Sequence, residues 1–260
     1  ETGDQPLYNE DKTKVLTFNG EIYNYQELRE ELLAAGHIFQ THTDSETLLH
    51  GYEEWGEKLV ERLRGMYAFV IWDREDKKLF GARDMFGIKP FYYAKMNGTF
   101  LFGSEIKSFV EHPHFDKVFN EKALGNYLSF QFVPTNETFF KGVFCLQPGH
   151  YFTYKEGKIE IVRYFEPHFT GKTDKSFEEI VDEVEKTMKE SVKMHKISDV
   201  EVGSYLSSGV DSSYLTYLSQ VDRTFTVGFD EQKYSEIQDA KEFADSIHMK
   251  NDSKVIKPEE

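Results

Sequence analysis

The sequence predicts an α+β half built on antiparallel strands, followed by an α/β half built on a parallel sheet. Strand-like runs dominate up to residue 165, and a polar, glycine-containing stretch at residues 167–175 follows them. Beyond that stretch, strand, loop and helix patterns alternate, which is typical of parallel strands joined by crossover helices. We therefore expect two domains, residues 1–166 and residues 176–260.

The elements of the first half follow from short periodic patterns. Residues 25–35 are predicted to form a helix, because leucines recur at helical spacing ahead of a glycine. Residues 43–46 (Thr-Asp-Ser-Glu) match a capping box that would open a second helix. Apolar and aromatic runs predict strands at residues 15–19, 66–73, 78–83, 91–94, 100–103, 150–154 and 159–164.

The second half is predicted to begin with a long amphipathic helix at residues 176–195. A loop at residues 207–213 and a helix through residue 218 come next. Strands are expected at residues 200–206, 224–228 and 253–256, with a further helix at residues 234–248.

Composition excludes several classes of function. The 260 residues carry 46 acidic and 31 basic side chains, a net charge of −15, so nucleic-acid binding is not expected. The longest apolar run, residues 66–72, is far shorter than the roughly 20 residues that span a bilayer. We expect a soluble, cytoplasmic protein without a membrane partner. The single cysteine, Cys145, excludes an internal disulfide and a multi-cysteine zinc site, and no pair of the nine histidines has a metal-binding helical spacing with a helper carboxylate.

Residues 207–213 (Ser-Ser-Gly-Val-Asp-Ser-Ser) lie between a predicted buried strand and a helix. Gly209 would let a ligand approach the backbone, and the serine hydroxyls with the first N–H groups of the helix would suit a phosphate. Asp211 would hold a Mg²⁺ ion that bridges phosphate oxygens, because a carboxylate does not pair directly with an anion. A serine-rich turn that merely caps the helix is the alternative.

This loop resembles the pyrophosphate-binding loop of the N-type ATP pyrophosphatases, whose pattern is Ser-Gly-Gly-x-Asp-Ser-Ser. Ser208 stands where that family has its first glycine and adds a Cβ there. The resemblance implies that the loop holds the β- and γ-phosphates of ATP, and that backbone positions nearby frame the adenine. The implied ATP-binding residues are Tyr205, Ser207, Gly209, Asp211, Ser212, Ser213 and Val227.

Residues 18–24 (Phe-Asn-Gly-Glu-Ile-Tyr-Asn) end a predicted strand. Asn19 offers a side-chain amide and Gly20 a backbone N–H, two donors that could form an oxyanion hole. Glu21 and Asp44 are carboxylates that could bind the ammonium group of an amino-acid substrate. An ordinary Asn-Gly turn and a helix N-cap at Asp44 would explain the same residues.

The runs 19–25 and 43–46 resemble the class II glutamine amidotransferases, N-terminal-nucleophile hydrolases with a four-layered αββα fold. With the runs 82–93 and 102–107 and the phosphate loop, the chain resembles glutamine-hydrolysing asparagine synthetases over nearly its whole length. That resemblance implies a catalytic oxyanion hole at Asn19 and Gly20, and glutamine binding by Asn19, Gly20, Glu21 and Asp44.

Enzymes of that family release ammonia from glutamine and use it, with ATP and Mg²⁺, to convert aspartate to asparagine through β-aspartyl-AMP. The implied partners are glutamine, aspartate and ATP, and the chain could form a homodimer. β-Lactam synthetases and lasso-peptide cyclases adenylate other carboxylates on the same architecture, so the acceptor is left open. A non-catalytic module is the alternative from another class.

The family's nucleophile is an N-terminal cysteine, whereas this chain begins with Glu1. Cys145 lies in mid-chain and is expected to be a buried small hydrophobe. The resemblance implies a chain truncated at both ends, without the family's second ATP motif, that would be inactive by itself. Arg83, Lys89 and Glu105 lie in stretches shared with the family, and we expect only buried ion pairing from them.

Overall fold

The computed structural model describes residues 4–169, 171, 173–229 and 235–257. The chain divides into two compact units, which we call unit 1 and unit 2, with the boundary between residues 169 and 170. None of the described helices is long and apolar enough to cross a membrane.

Unit 1 contains two antiparallel sheets. The larger has six strands in the order β1-β2-β3-β4-β8-β9, and the smaller has three in the order β6-β5-β7. The strands are β1 (Leu7–Tyr8), β2 (Lys14–Ile22), β3 (Gly65–Asp73), β4 (Lys78–Arg83), β5 (Tyr92–Met96), β6 (Thr99–Gly103), β7 (Val143–Cys145), β8 (His150–Lys155) and β9 (Lys158–Arg163).

Three α-helices accompany these sheets: α1 (Tyr25–Ala34), α2 (Asp44–Trp55) and α3 (Glu121–Phe130). Short 3-10 helices run over Gly56–Glu61 and Ile106–Phe109. Helices α1 and α2 cover one face of the large sheet, because their apolar side chains share a buried cluster with it. That cluster includes Leu28 of α1, Leu48, Leu49 and Tyr52 of α2, and Leu16, Phe69 and Phe80 of the strands.

The other face of the large sheet packs against the small sheet. Ala68, Val70 and Phe152 from the large sheet share a buried cluster with Tyr93 of β5 and with Phe91 just before it. The outer face of the small sheet is covered by the 3-10 helix Ile106–Phe109 and the chain around it. The layers therefore run helix, sheet, sheet, helix, which confirms the predicted α+β fold with αββα layering.

Unit 2 contains a parallel sheet in the order β10-β11-β12. Its strands are β10 (Gly203–Tyr205), β11 (Arg223–Phe229) and β12 (Lys250–Ile256), and its helices are α4 (Phe177–His195), α5 (Val210–Ser219) and α6 (Ile237–Ser246). Leu206 packs with Ala240 and Ala244 of α6 in a small buried core. The alternation of parallel strands and helices confirms the predicted α/β class of this half.

Candidate functional site

Strand β2 places Asn19 beside a cavity between the two sheets of unit 1. Asn19 lies opposite Ala68 of β3, and the cavity of about 220 Å³ is lined by both residues, by Phe91 and by Ser104. The Asn19 Nδ2 atom donates a hydrogen bond of 3.0 Å to the Ser104 hydroxyl. A side-chain amide nitrogen carries two hydrogens. The bond to Ser104 therefore fixes the Asn19 side chain and leaves one hydrogen for a ligand.

Gly20 permits the close approach of β2 and β3. A Cβ atom on Gly20 would lie 2.1 Å from the carbonyl oxygen of Met66 and 2.7 Å from the Cα of Tyr67. Any side chain at this position would require the two strands to separate. The glycine is therefore needed for the strand pairing itself, whatever it contributes to a ligand.

The backbone of Gly20 faces an edge of β2 that β1 does not reach. Phe18 N–H donates to Gln5 Oε1 over 2.6 Å, and Gln5 Nε2 donates to the Phe18 carbonyl over 2.8 Å. Two residues beyond Gly20, Ile22 N–H donates to Asp44 Oδ2 over 2.9 Å. Backbone groups two residues apart in a strand point the same way. The Gly20 N–H is thus directed outward, between the Gln5 side chain and the Asp44 carboxylate.

Asp44 is the first residue of α2, and the predicted capping box at residues 43–46 is wrong. The Thr43 side chain makes no capping bond. Glu46 instead accepts bonds from the N–H groups of Gln40 and Thr41, both over 2.7 Å. The Glu46 side chain therefore bonds the loop before the helix and does not bond the N-cap residue. Burial raises the pKa of Asp44, an effect partly offset by the bond from Ile22 N–H.

Glu21 shares a face of β2 with Asn19, because the two residues are separated by one position in a strand. Its negative charge contributes to raising the pKa of the neighbouring Tyr23, whose burial is the larger cause. The strand and the start of α2 thus bring together all four residues predicted to bind glutamine: Asn19, Gly20, Glu21 and Asp44.

Asp84 organises the loop after β4, a role that the sequence did not reveal. Its buried carboxylate accepts four backbone N–H bonds of 3.0–3.3 Å. The donors are Tyr67, Phe86, Ile88 and Lys89. An aspartate followed by Met-Phe-Gly is the only sequence signal for such a loop, because aspartate often accepts bonds from nearby backbone groups.

The expected ion pairing of Arg83 and Glu105 takes a different form. Arg83 donates to the carbonyls of Gly87, Lys89 and Leu146 over 2.7–2.8 Å, and its Nη1 atom lies 3.1 Å from the Cys145 thiol. Glu105 forms an exposed pair with Lys107. The Arg83 side chain thus holds together, by hydrogen bonds, the loops that contain Gly87, Lys89 and Leu146. Cys145 is only partly buried, and that burial raises the pKa of its thiol.

In unit 2, residues 207–213 connect the carboxyl end of β10 to the start of α5. The hydroxyls of Ser207 and Ser212 lie 2.7 Å apart, and Ser212 also donates to the carbonyl of Gly209 over 3.1 Å. Gly209 N–H donates to the Ser207 hydroxyl over 3.2 Å. These bonds within the loop give it a defined shape. Its tip, Ser208 to Asp211, is exposed.

Ser208 fits this loop without backbone strain, because it is not among the described residues with a positive φ. Gly209 is the N-cap of α5 with φ −71°, and a Cβ there would lie 3.3 Å from the Ser207 hydroxyl. Space beside Ser207, rather than an unusual backbone angle, therefore favours glycine at this position. Asp211 lies exposed in the first turn of α5, and Ser213 N–H bonds back to the Gly209 carbonyl.

Tyr205 and Val227 lie on neighbouring strands at the same end of the sheet as this loop. Tyr205 pairs with Phe225, so Val227, two residues further along, is level with Ser207. Tyr205 is 83% exposed and Val227 50% exposed. All seven residues predicted to bind ATP therefore lie along the carboxyl ends of β10 and β11 or at the start of α5, where open parallel sheets commonly bind ligands.

Comparison with known proteins agrees with both halves of this description. The family model for a glutamine amidotransferase domain matches residues 1–165, and the model for asparagine synthase matches residues 183–260. The chain is 44% identical over 265 residues to asparagine synthetase [glutamine-hydrolyzing] 1 of Bacillus subtilis, covering 100% of this chain and 42% of that protein. It is 39% identical over 223 residues to asparagine synthetase [glutamine-hydrolyzing] 3 of the same organism, covering 84% of this chain and 36% of that protein.

The chain spans about two fifths of the length of these curated relatives. Among solved structures, glutamine phosphoribosylpyrophosphate amidotransferase from B. subtilis, complexed with ADP and GMP, aligns with 96% of this chain and 48% of its own. The sequence identity is 18% and the TM-score 0.43. The resemblance stated from the motifs is confirmed by the family models and the curated relatives. Because the first family model covers more than half of its residues, the chain belongs to the glutamine amidotransferase domain family.

Proposed function

We propose that this chain supplies the glutamine-hydrolysing unit and part of the ATP-dependent unit of an asparagine synthetase. The observation that carries the proposal is the 44% identity along the whole chain to a protein named as a glutamine-hydrolysing asparagine synthetase. That single alignment covers both candidate sites, the one in unit 1 and the one in unit 2. The substrates would be glutamine, aspartate and ATP, and the nitrogen would pass from one site to the other as ammonia.

In unit 1, Asn19 and Gly20 would stabilise the oxyanion that forms when the glutamine amide is attacked. The second hydrogen of the Asn19 amide and the outward N–H of Gly20 would be the two donors to that oxygen. Fixed donors of this kind cost no reorganisation during the reaction, and each is worth about 3 kcal/mol of barrier. The Ser104 hydroxyl would keep the Asn19 amide in its working orientation.

Glu21 and Asp44 would hold the α-ammonium group of glutamine. Asp44 is held by Ile22 at the same edge of β2 toward which Gly20 points. Its partial burial is unfavourable for an ionised carboxylate without a cation. A bound ammonium group would supply that cation, which is a physical reason for glutamine to be bound in this orientation.

In unit 2, the loop of residues 207–213 fits a nucleotide phosphate. Its tip is exposed, its hydroxyls are fixed by bonds to one another, and it opens a ten-residue helix. Asp211 would hold Mg²⁺ at this helix start, and the ion would neutralise charge on the phosphate oxygens of ATP. Tyr205 and Val227, which lie at the same end of the sheet as this loop, would frame the adenine.

Transfer of labelled nitrogen tests this function. We would supply the complete protein that contains this chain with glutamine labelled at the side-chain ¹⁵N, aspartate and Mg²⁺–ATP. The expected products are ¹⁵N-labelled asparagine, glutamate, AMP and pyrophosphate in equal amounts. Formation of ADP instead of AMP, or turnover only with a carboxylate other than aspartate, would reject the assignment.

A further inference from the structure

Two histidines and a glutamate meet at α2 and the loop before it, and none of the three belongs to either candidate site. His50 and Glu53 are one helical turn apart in α2, and His37 lies in the loop between α1 and α2. One ligand atom from each lies within 4.8 Å of the other two. The Glu53 Oε2 atom is 2.9 Å from His50 Nδ1 and 3.6 Å from His37 Nδ1.

We propose that His37, His50 and Glu53 bind a divalent transition-metal ion, for which Zn²⁺ is the best match. Zinc sites commonly use two histidines and one glutamate with a fourth position open. Bonds of about 2.0–2.1 Å in a tetrahedral arrangement place neighbouring ligand atoms roughly 3.3 Å apart. The separations of Glu53 Oε2 from the two histidine Nδ1 atoms lie on either side of that value, and all three ligand atoms lie within 4.8 Å of one another, so side-chain rotations would form the site.

The ring nitrogens that face away from Glu53 lie near other carboxylates. A metal-bound histidine donates its other ring N–H to a carboxylate or carbonyl. Here His37 Nε2 lies 3.2 Å from Glu54, and His50 Nε2 lies 3.6 Å from Glu46 and 3.9 Å from Glu10. Each histidine thus has one nitrogen toward Glu53 and the other toward a different carboxylate.

The second oxygen of the Glu53 carboxylate is also held. Asn9 Nδ2 donates to Glu53 Oε1 over 2.6 Å, which leaves Oε2 toward the two histidines. His50 is 1% exposed, and within the described residues its Nε2 atom is buried without a hydrogen-bond partner. Metal binding at Nδ1 would keep the proton on Nε2, where Glu46 and Glu10 could accept it.

Charge and access also favour a cation here. Four carboxylates, Glu10, Glu46, Glu53 and Glu54, surround the two imidazoles. A divalent ion would reduce this local excess of negative charge. The side chains of His37 and Glu53 are 17% and 22% exposed, so the open position would face solvent. The bound ion would fasten the loop between α1 and α2 to the middle of α2.

Cobalt titration of the complete chain, freed of metal by a chelator, tests the proposal. Co²⁺ replaces Zn²⁺ in such sites and has visible absorption when it is tetrahedral. We expect saturation at one equivalent, displacement by Zn²⁺ and a rise in Tm with Zn²⁺. His37→Ala and Glu53→Gln should each weaken binding at least tenfold. Both side chains are partly exposed, so the variants should fold even if a His50 variant does not.

The matched control is the double variant His112→Ala/His114→Ala, which removes a second neighbouring pair of histidines, with ring centres 5.8 Å apart. It should bind Co²⁺ as the unaltered chain does. If Co²⁺ gives no stoichiometric absorption, or if the control loses binding while His37→Ala keeps it, the proposal is wrong. An unchanged Tm with Zn²⁺ would indicate instead that His50 holds a proton between the carboxylates. The test requires no enzymatic activity, so its failure would leave the proposed function untouched.

Discussion

Gly20 is a candidate catalytic residue, and the stability of the large sheet also depends on it. Gly20→Ala would place a methyl group 2.1 Å from the Met66 carbonyl oxygen. We expect a loss of about 3 kcal/mol in the free energy of unfolding, measured by urea denaturation, because overpacking against backbone cannot be relieved by a side-chain rotation. Gly125→Ala is the control, since a methyl group on Gly125, in α3, would meet no neighbouring atom within 4 Å.

The control variant, Gly125→Ala, should raise the free energy of unfolding by up to about 1 kcal/mol, because alanine is a better helix former than glycine. If Gly20→Ala were as stable as the unaltered chain, β2 and β3 would have to be less closely paired than described.

Asp44 makes the stability of unit 1 depend on pH. Its pKa is raised above 3.8 by burial, so the folded state favours the protonated form. Above that raised pKa the folded protein holds an ionised, poorly solvated carboxylate, and stability falls as the pH rises through it. Asp44→Asn keeps an oxygen acceptor for Ile22 N–H and removes the charge. We expect a Tm about 2–4 °C higher than that of the unaltered chain at pH 7, equivalent to about 1 kcal/mol.

The gap in Tm should shrink as the pH is lowered through the raised pKa toward 3.8. The exposed Asp116→Asn variant should show no such trend. The same Asp44→Asn change should raise the KM for glutamine, because it removes a charge proposed to bind the ammonium group. A gap in Tm that widens on acidification would contradict the effect of burial.

Single-residue roles were only partly predictable from the sequence. Asn19, Gly20 and Asp44 could be chosen from the sequence as candidate site residues because they lie in short motifs. The contact from Asn19 to Ser104 could not be predicted, because the two residues are 85 positions apart and meet only through sheet packing. The prediction of a capping box was wrong because the Glu46 carboxylate accepts hydrogen bonds from backbone N–H groups of the preceding loop instead. The local sequence does not show which of the nearby backbone donors such a side chain will bond.

At the scale of elements, the loop after β4 depends on one buried carboxylate. Asp84→Ala removes the acceptor of four backbone N–H groups. Bonds to a charged group are worth about 1.5–3 kcal/mol each, and unpaired buried donors are costly. We expect a loss of about 3 kcal/mol or more in unfolding free energy, with faster amide hydrogen exchange at Phe86, Ile88 and Lys89.

Asp76→Ala, in the exposed turn between β3 and β4, is the control and should change stability by less than about 0.5 kcal/mol. Equal effects of the two substitutions would show that Asp84 is not the organising residue of the loop.

Most helices and strands were predicted from their sequence patterns, whereas α3, β1 and β7 were not. Helix α1 agrees with its predicted range to within one residue, and the hairpin of β3 and β4 formed as expected. Helix α3 was not predicted, although Ala123, Tyr127 and Phe130 recur at helical spacing; only Ala123 among its residues is buried, so the face they form is left largely exposed. Strands β1 and β7 have two and three residues, too few to show a pattern.

At the scale of the whole molecule, the order of the α+β half and the α/β half could be predicted from the sequence. The pattern changes there from successive strand-like runs to alternating strands, loops and helices. The packing of the large sheet on the small one could not be predicted, because it depends on aromatic contacts between distant strands. Phe100 of β6, for example, stacks on Tyr154 of β8 with ring centres 4.4 Å apart. Another stacked pair, Phe91 and Phe102 with ring centres 6.2 Å apart, lines the cavity beside Asn19, so the motif was visible in the sequence while its surroundings were not.

Because each candidate site lies within one unit, substitutions should separate the two half-reactions in the complete protein. Asn19→Ala removes one oxyanion donor, so glutamine-dependent asparagine formation should fall about 100-fold. Synthesis from added ammonia should stay within about twofold, because that reaction bypasses unit 1. Asp211→Asn should instead abolish most synthesis from either nitrogen source while leaving glutamine hydrolysis measurable. Chromatographic assays of glutamate and asparagine would follow both reactions. If Asn19→Ala lost ammonia-dependent synthesis in parallel, Asn19 would act through folding rather than through the oxyanion.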